Sequence, residues 1–335
     1  MKFSDIFGHD KEIDILKKAA ASGRVAHAYL FSGIDGIGKG LVAEALASAL
    51  NCTAPVDGDS CGECESCRSM EGGSHLNLVK VAPEKGYLKI DQVREVQRAQ
   101  RYKVAGGMRV VIIESADAML VQPQNAFLKT LEEPAPSSVI VLISSRPAML
   151  LPTIHSRCQR INFSPLPLKR LKEALMEREG ITAEGAELLA GFGMGSFSKA
   201  REALESGVYE SGIDYLDKLS ALTATDACGL LALATALSKD DELHGVLEFI
   251  KTWLRDGAVR AEGAEHLAVM GGGSLGSPDS ATSAGFDTFY SLFSMVDSAQ
   301  RNIMAPRNAS KLLTMEAMLM EFAAAKVEMN FGLAS

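Results

Sequence analysis

The chain has 335 residues, of which 47% are apolar and 23% charged, and carries a formal net charge of −8. That length is more than one hydrophobic core usually organises, so two or three domains are expected, with the ordinary composition of a soluble globular protein. No apolar run reaches the roughly 18 residues of a membrane span, and the opening Met1-Lys2-Phe3-Ser4-Asp5 lacks the basic-then-apolar pattern of a signal peptide. A cytoplasmic protein without a membrane role is expected. The acidic balance and the lack of a long basic run argue against a chain that grips duplex DNA alone, since such binding rests on clustered Lys and Arg. A DNA-handling complex whose other chains supply the positive charge stays open.

Residues 27–163 read as alternating strands and helices. Residues 27–31 form a short apolar strand running into a Gly-rich turn. Residues 41–50 are helical, with Leu41, Ala45 and Leu46 on one face. A second strand is expected over 76–81 and a helix over 91–100 with Asp91 as its N-cap. The Val/Ile-rich runs 109–113 and 139–143 look like buried parallel strands, and 159–163 is a weaker fifth. The alternation predicts an α/β layer with a mostly parallel sheet. After Pro165 and Pro167 the periodicity turns helical. Short helices are expected over 168–206 and longer ones from about 208. Leu243, Val246, Leu247, Ile250 and Leu254 make one apolar stripe; Leu312, Met315, Leu319 and Phe322 make another. Residues 271–285, rich in Gly and Ser, predict a mobile loop. The boundaries that follow are 1–165, 166–207 and 208–335.

Gly33-Ile34-Asp35-Gly36-Ile37-Gly38-Lys39-Gly40 follows a strand and opens a helix, the context a phosphate-binding loop requires. The glycines let backbone N–H groups face phosphate, the helix N-terminus adds partial positive charge, and Lys39 would reach the β- and γ-phosphates. The next position should carry the hydroxyl that ligates Mg²⁺, yet it is Gly40. The second element of such a site would be Val110 to Asp117. A working site needs an Asp for the metal at the strand end and then an acidic residue to orient water; here Glu114 and Ser115 stand there. Glu114 could hold a metal at a different reach, whereas Ser115 is no base unaided. Two losses in one site point to abandoned hydrolysis, and they leave ATP or ADP binding doubtful.

Cys52, Cys61, Cys64 and Cys67 have eight, two and two residues between them. Two Cys-x-x-Cys steps suit tetrahedral Zn²⁺, and a closed four-thiolate set leaves no place for water, so the site is structural. Disulfides are disfavoured in a cytosolic chain, and no thioredoxin-like context favours a redox role. Cys158 and Cys228 both read as buried small hydrophobes. His27 and His155 lack partners at ligand spacing and read as structural.

Together these residues resemble bacterial clamp-loader AAA+ subunits, of delta-prime and tau/gamma type, where a zinc module follows the phosphate-loop helix. Residues 124–134, Gln-Asn-Ala-Phe-Leu-Lys-Thr-Leu-Glu-Glu-Pro, resemble the helix after the second ATPase strand, and Leu142-Ile143-Ser144-Ser145 the sensor-1 strand. Thr153-Ile154-His155-Ser156-Arg157-Cys158 resembles the Ser-Arg-Cys motif, whose arginine acts on ATP held by a neighbouring subunit. The likeness is strong over residues 5–206; beyond them, Trp253-Leu254-Arg255-Asp256 and residues 308–316 are similar to the family's collar. It implies an α/β AAA+ P-loop domain, a small helical lid and an all-α collar. It also implies tau/gamma and delta partners in a hetero-oligomeric ring of the DNA polymerase holoenzyme, which loads a sliding clamp onto primed DNA.

The departures choose within that family. Tau/gamma motors keep Ser/Thr after the loop Lys, Asp-Glu on the second strand and an Arg in sensor 2; this chain has Gly40, Glu114-Ser115 and Ser198. With Arg157 intact, the resemblance implies the delta-prime type: a degraded site of its own (Gly33, Gly36, Gly38, Lys39, Glu114) and a finger, Arg157, for the neighbour's. Two rival readings remain open. An active AAA+ ATPase would have to use Glu114 differently. A small-molecule kinase on a phosphate loop would need an Arg-rich lid, and it has no place for the cysteines or the Ser-Arg-Cys segment.

Overall fold

Five short segments, β1 (Ala28–Ser32), β2 (Leu78–Val81), β3 (Arg109–Ile113), β4 (Ser138–Ser144) and β5 (Gln159–Asn162), pair into one sheet in the order β2-β3-β4-β1-β5. Every pairing is parallel. The computed structural model describes residues 1–100, 106–223, 225–270, 285–304 and 310–328. Most of the stretch 271–285, expected as a mobile loop, lies outside them, as do Asn308 and Ala309 of the collar-like segment. The chain divides into two units, Met1–Arg170 and Leu171–Ser335.

In the first unit the helices are α1 (Asp10–Ser22), α2 (Lys39–Asn51), α3 (Glu65–Glu71), α4 (Ile90–Gln100), α5 (Val121–Glu132) and α6 (Pro152–His155). β1, β3 and β4 are buried along their whole length, which is why they read as continuous apolar runs instead of alternating ones. Their two faces build two cores. Tyr29, Phe31, Val110, Ile112, Val139 and Val141 pack with Leu16 of α1 and Val42 and Leu46 of α2. Leu30, Val111, Ile113, Ile140 and Leu142 pack with Val93 and Val96 of α4 and Phe127 and Leu131 of α5. The parallel register brings Ser32 beside Ser144 and Ile113 beside Leu142. The carboxyl ends of β1, β3 and β4 therefore share one rim, where ligands of open α/β sheets bind.

Several local expectations are corrected. Leu41 is 38% exposed, and the buried face of α2 runs instead through Val42, Ala45, Leu46 and Ala49. Leu76 is exposed and lies outside β2. Asp91 is not a cap: it sits in the first turn of α4 and pairs with Arg94 at 3.1 Å. The N–H of Lys89, just before α4, donates instead to Gln92 Oε1 at 2.9 Å, half of a capping box.

The second unit is helical: α7 (Leu168–Glu179), α8 (Ala183–Gly193), α9 (Phe197–Glu205), α10 (Val208–Ala221), α11 (Ala227–Lys239), α12 (Leu243–Ala261), α13 (Phe286–Met304) and α14 (Lys311–Glu328). The expected stripe of α12 is buried throughout, and that of α14 is buried except for Leu312 in its first turn. Gly257 of α12 makes room for the ring of Phe289 on α13, which a Cβ would strike. The Lys251 ammonium donates to Asp297 Oδ1 at 2.9 Å and Gln300 Oε1 at 2.8 Å, tying the same two helices. Buried Asp256 accepts from the N–H groups of Val269, at 2.8 Å, and Met270, fixing the chain beyond α12. Cys228 is exposed at the start of α11 and is no core residue. Among the described residues no helix is long and apolar enough to cross a membrane.

Candidate functional site

The Gly-rich loop leaves β1 at Ser32 and enters α2 at Lys39. Gly33 donates its N–H to Ser144 O at 3.2 Å, and a Cβ there would run into the Phe163 carbonyl and the Ile37 side chain. Gly36 and Gly38 hold φ of 74° and 100°, a region that disfavours L side chains. His9 Nε2 donates to the Ile37 carbonyl at 2.6 Å, pinning the loop from outside. Lys39 is 4% exposed; its ammonium donates to the loop's own carbonyls, Gly33 O at 2.7 Å and Ile34 O at 2.6 Å. Burial pulls its pKa down, while the Asp35 and Asp117 carboxylates oppose that. A Cβ on Gly40 would meet nothing within 4 Å, so no packing demand calls for glycine there. The hydroxyl is missing although space for it exists.

At the end of β3, Glu114 donates its N–H to Val81 O at 2.8 Å, and its side chain is exposed. Ser115 follows with φ 46° and is also exposed. The carboxylate buried at this rim is Asp117, which its position in the sequence does not single out. It accepts from Ser144 Oγ at 2.7 Å, from the Ser145 N–H at 3.2 Å and from Arg146 Nε at 3.1 Å. Burial pushes its pKa up, but these hydrogen bonds outweigh it and hold the carboxyl below its ordinary range. No sequence signal marks it: the pairing of β3 with β4 sets the turn at 114–117 against Ser144.

Arg157 follows α6 and is half-buried. Its Nη2 donates to Glu132 Oε1 at 2.7 Å, and its Nη1 donates to Thr153 O at 3.0 Å and Ser156 Oγ at 3.2 Å. Glu132 is the last residue of α5, so that helix ends at the residue that Arg157 contacts. Cys158 packs against the core cluster beneath, and burial pushes its thiol up to about 12, as suits an inert small hydrophobe. His155 Nε2 donates to Pro147 O at 2.9 Å, a structural role. Ser198 is exposed on α9, whose first turn is capped by Ser196 Oγ accepting from the Lys199 N–H at 3.2 Å.

The four cysteine sulfurs lie within 4.8 Å of one another. Four thiolates around zinc at 2.3 Å stand about 3.8 Å apart, so small adjustments close the tetrahedron. Cys64 N-caps α3, its sulfur accepting from the Cys67 N–H at 3.4 Å; the Cys61 and Cys64 N–H groups point at the Cys52 and Cys61 sulfurs at 3.2 and 3.4 Å. Such donors favour thiolate, and the Thr53 side chain and backbone help lower the Cys64 thiol to about 5. Burial pushes Cys67 up to about 12, a cost that a bound cation removes, because a coordinating thiol loses its proton outright. The cluster can hold a metal such as zinc. Asp59 ties it to the N-terminus, accepting from the Phe3 and Ser4 N–H groups at 2.9 and 3.1 Å and pairing with Lys17 at 3.2 Å.

Residues 8–167 match the family described as DNA polymerase III, delta subunit. That match takes in 160 of the 335 residues and is a likeness to that family. The delta' subunit of DNA polymerase III from Pseudomonas aeruginosa is 39% identical over 209 residues, 59% of this chain and 61% of that protein. The tau subunit from Escherichia coli is 31% identical over 212 residues, 62% of this chain and 33% of that one. The aligned region thus spans about three fifths and one third of these relatives' lengths. Among solved structures, a DNA polymerase III gamma-subunit-related protein from Thermotoga maritima matches with a TM-score of 0.51 and 22% identity, over 94% of this chain and 99% of its own. That likeness is one of fold. It agrees with the parallel five-stranded sheet, its flanking helices and the helical second unit expected of an AAA+ clamp-loader chain.

Proposed function

We propose that the chain is a delta-prime-type clamp-loader subunit of DNA polymerase III that does not hydrolyse ATP itself and supplies Arg157 to ATP held by a neighbouring tau/gamma subunit. The observation that carries this reading is the contrast between two parts of the first unit. The loop keeps its glycines and Lys39, yet Gly40 and Ser115 replace the metal-binding hydroxyl and the water-orienting carboxylate. The Ser156-Arg157-Cys158 segment is whole, and its arginine is held near the surface by defined acceptors. A guanidinium stabilises charge that develops on a transferred phosphoryl group and can do so from another chain. Losing one's own hydrolysis is therefore compatible with being required for the neighbour's.

On this reading residues 1–165 form the AAA+ domain, 166–207 the lid and 208–335 the collar that joins the sister subunits. The cysteines hold one structural zinc. Delta and tau/gamma complete a ring that places a sliding clamp on primed DNA, in the cytoplasm. Lys39 and the loop glycines are what remains of a nucleotide site, and Glu114 marks where its metal ligand would have been. The test combines two assays. Steady-state ATP turnover should be negligible for the lone chain. Addition of the chain to purified delta and tau/gamma should yield a stable complex that loads clamps onto primed DNA. Substantial turnover by the lone chain, abolished in Lys39→Ala, or failure to enter the complex would refute the reading.

A further inference from the structure

We infer that Glu132 is a positioning residue for Arg157, setting the orientation of the guanidinium that this chain presents to a neighbour's γ-phosphate. The inference rests on the finger reading of Arg157. The segment that carries the finger is fastened to α5 at two places. At the inner end, buried Gln124 uses both faces of its amide: Nε2 donates to Met119 O at 2.9 Å and Met149 O at 3.1 Å, and Oε1 accepts from the Leu151 N–H at 2.8 Å. At the outer end, Glu132 Oε1 takes the hydrogen bond from Arg157 Nη2. Eight residues of helix separate the two, roughly 12 Å. One rigid element therefore sets both where the 149–157 segment starts and how its arginine points.

The guanidinium is fixed by three acceptors from two directions: Glu132 on one terminal nitrogen, Thr153 O and Ser156 Oγ on the other. Its Nε–H is not engaged by these three. A planar fork held this way has a defined orientation, which a flexible ammonium lacks. The location of Glu132 supports a reason beyond helix stability. A carboxylate at a helix C-terminus opposes the macrodipole, and α5 ends on one at Glu132 with Glu133 as its C-cap. The pairing with Arg157 offsets that disadvantage for Glu132.

A different role for the same contact would be a latch that withholds the finger. The magnitudes disfavour it: the side chains are 33% and 49% exposed, and an ion pair of that exposure is too weak to compete with a triphosphate. The same weakness suffices to select one rotamer of a mobile side chain. The two roles predict opposite signs.

The experiment uses the assembled complex with delta and tau/gamma, measuring DNA-stimulated ATP turnover for wild type, Glu132→Ala, Glu132→Gln, Arg157→Ala and the double variant. Assembly and melting temperature are checked for each. The expected result is a fall in kcat for Glu132→Ala that is smaller than the fall for Arg157→Ala and at most about the two- to fivefold that an exposed ion pair can supply at the one affected site, with KM for ATP unchanged. Glu132→Gln, which keeps an acceptor oxygen, should recover part of the loss. The double variant should be no worse than Arg157→Ala alone. A rise in turnover for Glu132→Ala overturns the inference in favour of a latch. Wild-type turnover for Glu132→Ala beside a clear defect for Arg157→Ala overturns it and leaves the finger standing. An unaffected Arg157→Ala removes the finger reading and this inference with it.

Discussion

Single residues in this chain are legible to different depths. Gly33, Gly36, Gly38 and Lys39 stood out because a strand and a helix had to flank them, and the structure places them there. Asp117 did not, because a carboxylate four residues past a strand has no periodic signature; its role appears only when β3 and β4 lie side by side. Cys228 misled, because an Ala/Leu-rich surrounding does not say which face a helix buries. Two outcomes are expected at this scale. Asp117→Asn should be less stable than wild type at neutral pH, since the charged carboxylate is favoured by Ser144, Ser145 and Arg146. Its folded pKa is depressed, so the wild-type advantage is full above the ordinary carboxylate range near 3.8 and lost as pH falls through the lower folded value. Chemical denaturation at pH 7 and near pH 3 checks the sign. Arg157→Ala should leave folding and assembly intact while lowering ATP turnover of the complex. The finger of an isolated phosphoryl-transfer site is worth on the order of 10³ or more, but other sites in a ring would keep theirs and dilute the loss.

At the scale of elements, strands and helices were readable because burial imposes periodicity, and their ends were not because caps are made by particular side chains. α4 begins one residue before Asp91, and its capping acceptor is Gln92, half of a capping box whose other half, a Ser or Thr before the helix, is replaced by Lys89. The cysteine spacing specified the module, but its tie to the N-terminus through Asp59 depends on a fold that spacing does not contain. Elemental analysis of protein purified without added metal should find one zinc per chain. Chelation, or Cys64→Ser, should lower the melting temperature and loosen the 52–72 segment in hydrogen exchange, while strands β1, β3 and β4 stay protected. Unchanged exchange throughout would mean that the cluster holds nothing structural. In α12, Leu254 is fully buried in the expected stripe. Its replacement by Ala should cost about 2–5 kcal/mol, the range for a large-to-small change in a packed core, as read from denaturant midpoints at constant m.

For the whole molecule, the alternation of strands and helices announced the α/β unit, and the break at Pro165 and Pro167 announced the helical one. The order of strands could not be read, since short strands joined by helices allow many parallel sheets and only folding selects β2-β3-β4-β1-β5. That order places the loop after β1 next to Ser144 and the turn after β3, which brings Lys39, Ser144 and Asp117 to one rim. The proposed function is a division of labour, with hydrolysis absent here and catalytic charge supplied to a neighbour. Its most direct test is ATP turnover measured three ways: the chain alone, the chain carrying Gly40→Thr, and the complex with delta and tau/gamma on primed DNA with and without the chain. The account predicts negligible turnover in the first two, because Gly40→Thr fits but leaves Ser115 in place, and a DNA-stimulated rate in the complex that requires the chain. Turnover by the lone chain at the rate of the complex, or a complex indifferent to its presence, would contradict it.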